Sequence, residues 1–225
     1  FDHCVEHGPH EYDGIDLSPE RIVRISRRLD GLIAHVGLVK ASSIKPRKFI
    51  AKVTGRTSLN PKMIQEIVSS VEEALSYGAK AIATTVYVGN EYEHYMLRNF
   101  MEIKKACLKH DLPIIAFMYP RVKGKAKNNP LLVRYAARLG AELGADVVKT
   151  YYTGSVATFR KVVNDCFVPV LVAGGPKTSD LKKFYSFVKD VLKAGASGLA
   201  VGRNVWARKD AEEVAKKVAE LVHKT

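Results

Sequence analysis

One lysine stands inside an apolar run. In Asp146-Val147-Val148-Lys149-Thr150 the flanking residues read as a buried strand, so Lys149 would be stripped of water by its position. Loss of hydration disfavours an ammonium ion and lowers its pKa. Bringing a lysine from about 10.4 to near 7 corresponds to roughly 4 to 5 kcal/mol of differential interaction. A neutral amine can attack a carbonyl carbon and form an imine, which then accepts electrons from a breaking carbon–carbon bond. A second reading stays open on the residues alone. Lys149 could snorkel from the strand end or pair with a carboxylate.

Other residues could share that chemistry if the fold gathers them. Two late strand candidates run into Gly174-Gly175-Pro176-Lys177 and Gly202-Arg203-Asn204. Glycines let backbone N–H groups approach phosphate oxygens, Arg203 can pair with them in bidentate fashion, and a short turn over 204–207 offers a helix N-terminus. As structure alone, the same residues are tight turns with a surface charge. Tyr119, at the end of the Ile114–Met118 run, and Asp2 could move protons beside an amine. Tyr87 ends another run and could reach the same place. The crowded start Asp2-His3-Cys4-Val5-Glu6-His7 brings metal ligation to mind, yet its spacing matches no strong zinc pattern and no metal is expected.

These side chains need a scaffold, and the rest of the chain describes one. Strand-like apolar runs at Leu32–His35, Phe49–Val53, Ala81–Val86, Ile114–Met118, Asp146–Thr150, Val168–Ala173 and Gly198–Val201 alternate with helical patterns. The helices are expected over Pro19–Leu29, Ser69–Tyr77, Glu91–Lys109, Pro130–Leu143, Val156–Asp165, Ser179–Ala194 and Ala211–His223. Ser18-Pro19 and Thr178-Ser179-Asp180 supply start signals, and Gly78, Gly144 and Gly195 suit C-caps. Phe1-Asp2 reads as the tail of an eighth strand whose body would lie upstream. Eight strands alternating with helices predict a (β/α)8 TIM barrel forming one catalytic domain over residues 1–225. A doubly wound open sheet is the alternative, but no G-x-G-x-x-G follows an early strand.

Composition narrows the function classes. A chain of 225 residues with 47% hydrophobic side chains has a full core, which excludes a disulfide-stapled miniprotein. No apolar run nears the ~20 residues that a spanning helix needs. Three widely spaced cysteines fit a reducing cytoplasm rather than a disulfide framework. The formal charge of +13 could serve nucleic acid or small anions. Because the basic residues are spread over many amphipathic segments and form no stripe with interleaved aromatics, no nucleic-acid partner is expected.

The motifs taken in order resemble the archaeal-type class I fructose-1,6-bisphosphate aldolases, a Schiff-base superfamily that includes 2-amino-3,7-dideoxy-D-threo-hept-6-ulosonate synthase. The likeness runs through Asp2–Pro9, Lys52-Val53-Thr54-Gly55-Arg56-Thr57, Tyr119-Pro120-Arg121, Leu143–Lys149, Tyr152-Thr153-Gly154, Gly174–Thr178 and Ala200–Trp206. It implies a metal-independent lyase that needs no cofactor and cleaves fructose 1,6-bisphosphate reversibly to dihydroxyacetone phosphate and glyceraldehyde 3-phosphate. In that pattern Lys149 forms the imine, Tyr119 donates and accepts protons and Asp2 is the carboxylate beside them. Gly174, Gly175, Gly202 and Arg203 would hold the 1-phosphate, with Arg121, His7 and Phe117 also on the substrate. The resemblance further implies a cytoplasmic homo-oligomer, often a decamer. Family members of the bisphosphate branch often carry Trp where Phe117 stands and Ser where Ala173 stands, while the synthase branch tends to have Ala at the latter. The alternative activity is therefore that synthase, a transaldolase-like step onto aspartate semialdehyde in archaeal aromatic amino-acid biosynthesis.

Overall fold

The computed structural model describes residues 1–2, 6 and 14–224; His3, Cys4 and His7 lie outside them. Seven parallel strands form one sheet in strict chain order: β1 (Leu32–Ala34), β2 (Phe49–Lys52), β5 (Ala79–Val88), β6 (Ile114–Pro120), β7 (Val147–Thr150), β8 (Val170–Ala173) and β9 (Gly198–Ala200). Strand order that never reverses leaves no switch point, which rules out the doubly wound arrangement. Helices alternate with these strands: α1 (Pro19–Ser26), α2 (Val36–Ala41), α3 (Val71–Ser76), α4 (Glu93–Lys109), α5 (Pro130–Glu142), α6 (Val156–Asp165), α7 (Leu181–Lys193), α8 (Arg203–Trp206) and α9 (Ala211–His223).

The sheet curls as a TIM-type barrel with a seam between β1 and β9. Phe1 lies in that seam: its amino nitrogen donates to the Ile33 carbonyl of β1, and its ring meets Trp206, beyond β9, edge-on at 5.0 Å. The expected tail of a further strand thus sits between the two sheet edges.

All seven strand expectations are met, with β5 and β6 running two residues further than the apolar runs at their C-terminal ends. That extension brings Tyr87 and Tyr119 into register as cross-strand partners. Three elements were not foreseen. Helix α2 is a short turn of six residues, below the length at which periodicity is readable. Thr54–Gly55 (β3) and Glu66–Ile67 (β4) pair as an antiparallel ribbon over the end of β2. Expected helix ends move inward by one to three residues at α1, α3, α4, α5 and α7. At α7 the reason is visible: Asp180, not Ser179, is the N-cap, and its carboxylate accepts from the Lys182 and Lys183 amides. Ser18 precedes α1 without a side-chain cap bond.

Strand alternation decides which residues reach the barrel interior. Val148 and Thr150 face the helix layer and are fully buried there, whereas Val147 and Lys149 face inward with Ile33, Ile50, Ala83, Ile115, Phe117 and Tyr119. The outer core between sheet and helices is built from the other parity, with Ile82, Met118, Val148 and Val172 buried against Phe100, Val133, Phe159 and Val188.

Candidate active site

The cross-strand register puts Lys149 opposite Phe117. Its amine sits 3.9 Å from the centre of that ring and, among the described residues, makes no hydrogen bond. The side chain forms part of the wall of a cavity of about 940 Å³, at the upper end of the range usual for small-molecule sites. Burial is the main influence on Lys149 and pulls its pKa below the ordinary lysine value; Lys52 acts in the same direction, Asp2 and Glu6 against it. The residue foreseen as a desolvated amine is therefore one, open to a cavity on its reactive side.

Asp2, Tyr119, Phe117, Gly174, Gly175, Gly202, Arg203 and Arg121 line the same cavity. His7, the remaining expected contact, falls outside the described residues. Burial on its own would raise the Asp2 carboxyl. The field of Lys149 and Lys52 outweighs it and holds Asp2 ionised, well below the usual carboxylate range. Tyr119 is the converse. Burial first, then the neighbouring Tyr151, Asp2, Tyr87 and Glu6, push its phenol well above 10, so it stands protonated. A protonated donor, an ionised acceptor and an amine biased toward neutrality thus face one space, which is the set that imine chemistry uses.

The two glycine turns meet at the other side of the cavity, where a Cβ on Gly174 would lie 3.1 Å from the Cα of Val201, backbone that cannot yield. Gly175 takes φ +69°, which L side chains rarely adopt. Asn204 ties the turns together, a role the sequence reading missed. Its amide nitrogen donates to the Gly174 and Pro176 carbonyls at 2.8 and 2.9 Å, and its side-chain oxygen accepts from the Thr178 amide at 2.9 Å. Replacing Asn204 by alanine takes a partner from three partly buried backbone groups, so we expect a stability loss of roughly 1–3 kcal/mol and a raised KM for a phosphorylated substrate with kcat less affected. Urea melts and steady-state kinetics check the two parts.

Tyr87 lines the cavity as expected, and several further residues escaped the sequence reading. Tyr151 stacks on Tyr119 at 4.4 Å and accepts a hydrogen bond from Arg121, whose guanidinium lies 5.1 Å from the ring centres of both Tyr87 and Tyr151. Lys52, Glu6, Gln65 and Tyr87 form a buried polar group behind Phe117. Lys52 carried the same signal as Lys149, a lysine in an apolar strand run, and could have been found by it. Glu6 is bound into this group. Among the described residues no cluster of three or more His, Cys, Asp or Glu side chains could hold a metal ion.

Comparison with known proteins places this geometry. The chain is 42% identical, over 99% of its length and 88% of the relative's, to the fructose-bisphosphate aldolase class 1 of Thermoproteus tenax. It is 34% identical, over 99% of its length and 83% of the relative's, to 2-amino-4,5-dihydroxy-6-oxo-7-(phosphonooxy)heptanoate synthase of Streptomyces griseus. It superposes with a TM-score of 0.94 and 40% identity on an archaeal fructose-1,6-bisphosphate aldolase whose catalytic Lys is covalently bound to the carbinolamine intermediate of the substrate, covering 99% of this chain and 92% of that one. The model of the DeoC/LacD family aldolases matches residues 1–208. The chain, folded as a TIM-type barrel around a lysine set in an apolar strand, belongs to the DeoC/LacD aldolase family.

Proposed function

We propose that this protein is a class I, Schiff-base aldolase that cleaves fructose 1,6-bisphosphate reversibly to dihydroxyacetone phosphate and glyceraldehyde 3-phosphate. The observation that carries the reading is Lys149, an amine without hydrogen bonds among the described residues, in the wall of a cavity that two glycine turns also line. The 42% identity to an aldolase of that name supports the choice of substrate.

Each step follows from the protonation states already described. The neutral Lys149 amine attacks the C2 carbonyl of the ketose, and its surplus proton passes to the new oxygen, with the Asp2 carboxylate as carrier. Tyr119 then gives its phenolic proton to the departing hydroxyl. Water leaves, and a cationic imine remains beside the Asp2 carboxylate. The Tyr119 phenolate so formed takes the proton of the C4 hydroxyl. The C3–C4 bond breaks, its electron pair flows into the imine to give an enamine, and glyceraldehyde 3-phosphate departs. Tyr119 returns the proton to C3, and water hydrolyses the imine to release dihydroxyacetone phosphate and restore the amine. Backbone N–H groups of Gly174, Gly175 and Gly202, with Arg203, would hold the 1-phosphate, which stays with Lys149 throughout. Arg121, which lines the cavity with Lys127, would meet the second phosphate. His7 is assigned to substrate contact on the resemblance alone.

The Streptomyces griseus relative and Ala173 in the cavity wall favour one second reading, a synthase that transfers a three-carbon unit to a semialdehyde. A substrate panel separates them. Glyceraldehyde 3-phosphate released from the bisphosphate, followed with a coupled reductase, is the expected result, and its rate should not change after EDTA treatment. Inactivity there with condensation onto aspartate semialdehyde would transfer the assignment to the synthase.

We further infer a cytoplasmic homo-oligomer. Cys107 and Cys166 are buried free thiols, which a reducing compartment maintains. Leu131 and Tyr135 of α5 and nearby Phe167 are large apolar side chains left exposed, as a contact between copies requires.

A further inference from the structure

We propose that Lys52 is a positioning residue for the imine lysine: a buried cation fixed behind Phe117 whose charge governs the protonation state of Lys149 before attack. The proposal rests on the Schiff-base reading of Lys149, and its test is chosen so that the two can fail separately.

Lys52 ends β2, has no solvent exposure and is among the largest fully buried side chains of the molecule. A buried ammonium must be surrounded by acceptors, and this one is. Its nitrogen donates to the Thr54 carbonyl, to Thr54 Oγ1 at 2.9 Å and to Gln65 Oε1 at 3.3 Å, and it pairs with Glu6 Oε1 at 3.6 Å. Glu6 is held in turn by Gln65 Nε2, which donates to its two oxygens at 2.9 and 3.0 Å, and by the Tyr87 hydroxyl at 3.2 Å. The unforeseen ribbon of β3 and β4 is what brings Thr54 and Gln65 onto the lysine. No sugar atom is needed to explain this cluster, and the mechanism above does not use it.

Its position relative to Lys149 is specific. The Lys52 nitrogen lies 5.7 Å from the centre of the Phe117 ring and the Lys149 nitrogen 3.9 Å from the same ring. Two lysines thus share one aromatic ring inside a barrel where water screens little. They are unequal. Lys52 has oxygen partners for all its protons, while Lys149 has none among the described residues, so the proton belongs on Lys52 and its charge repels a second one. Burial pulls both lysines below their ordinary pKa. Glu6 and Asp2 oppose that for Lys52, and Lys52 adds to it for Lys149.

The other groups near Lys149 do not duplicate the effect. Asp2 and Glu6 favour its protonation, and Tyr119 and Tyr151 are neutral phenols. His35, pushed down to about 4 by burial and by Lys52, is uncharged at working pH. On the β8 side the register partner is Leu171. Among the described residues Arg121, Lys127 and Arg203 are the further Lys and Arg side chains that line the cavity.

The test is the pH dependence of borohydride trapping with dihydroxyacetone phosphate, read as adduct on Lys149 by peptide mass, for wild type, Lys52→Met and Lys52→Arg. The acid limb of Lys52→Met is expected about one pH unit higher than wild type, a tenfold loss of adduct at a fixed pH below the limb, with Lys52→Arg close to wild type. Should Lys52→Met fail to fold, Lys52→Gln keeps a donor toward Thr54 and is expected to show the same displacement. A limb that stays put in the neutral variants, or moves equally in Lys52→Arg, overturns the proposal, since packing rather than charge would then be at work. If wild type itself gives no adduct on Lys149, it is the Schiff-base reading that has failed.

Discussion

Lys149→Met should lower kcat for bisphosphate cleavage by at least about 10⁴-fold and abolish borohydride-dependent mass gain, while the protein stays folded. The size follows from removing a covalent nucleophile rather than weakening a contact. Methionine fills nearly the same volume against the Phe117 ring, and it removes an amine that had no hydrogen bond to lose, so the folded state loses little. The substitution relieves the burial cost of an ionisable group, and a melting temperature equal to or above wild type is the expected companion result. A variant that melts much earlier would mean the lysine had been structural, and a variant retaining a tenth of the activity would remove it from the reaction.

Tyr119→Phe is expected to cost about 10²–10⁴ in kcat with little change in KM, the range for one positioned acid–base group. The ring stays stacked on Tyr151 at 4.4 Å and near Phe117 at 6.1 Å, so the barrel wall is preserved. What disappears is the hydroxyl, which burial keeps protonated and therefore able to give a proton to the departing carbinolamine oxygen. The same hydroxyl, once deprotonated, collects the proton of the breaking C3–C4 unit. Two steps should therefore slow together. Exchange of the carbon-bound protons of dihydroxyacetone phosphate with deuterium oxide, followed by NMR, reads the later step in which Tyr119 returns a proton to C3. Loss of exchange in Tyr119→Phe while slow trapping on Lys149 survives is the expected pattern. Exchange at the wild-type rate would reassign the proton to Asp2 or to water.

How much of this was readable before the fold was known depends on the range of the interaction. Buried parallel strands are continuous apolar runs, so the seven strands follow from local pattern, whereas the face on which Lys149 projects does not. The tight turn at Gly175 is likewise local, since its φ of +69° disfavours a side chain, whereas at Gly174 the constraint is the distant backbone of Val201. The partners of those residues are not local. Asn204 reaches Gly174 across thirty positions, and Lys52 meets Glu6 only because β3 and β4 fold a ribbon back over β2. Each of these contacts depends on a register between distant strands. A tyrosine stack such as Tyr119 on Tyr151 was hidden for a further reason. Tyr151 follows the last residue of β7, where an aromatic residue is ordinary rim packing until its neighbour is known.

The central claim, that one desolvated amine does the covalent work, is open to a single measurement. Wild-type protein is treated with dihydroxyacetone phosphate and borohydride, digested, and each peptide weighed. The account predicts one reduced adduct, carried by the peptide containing Lys149 and by no other. An adduct on Lys52 or on surface lysines, or no adduct at all, would contradict it.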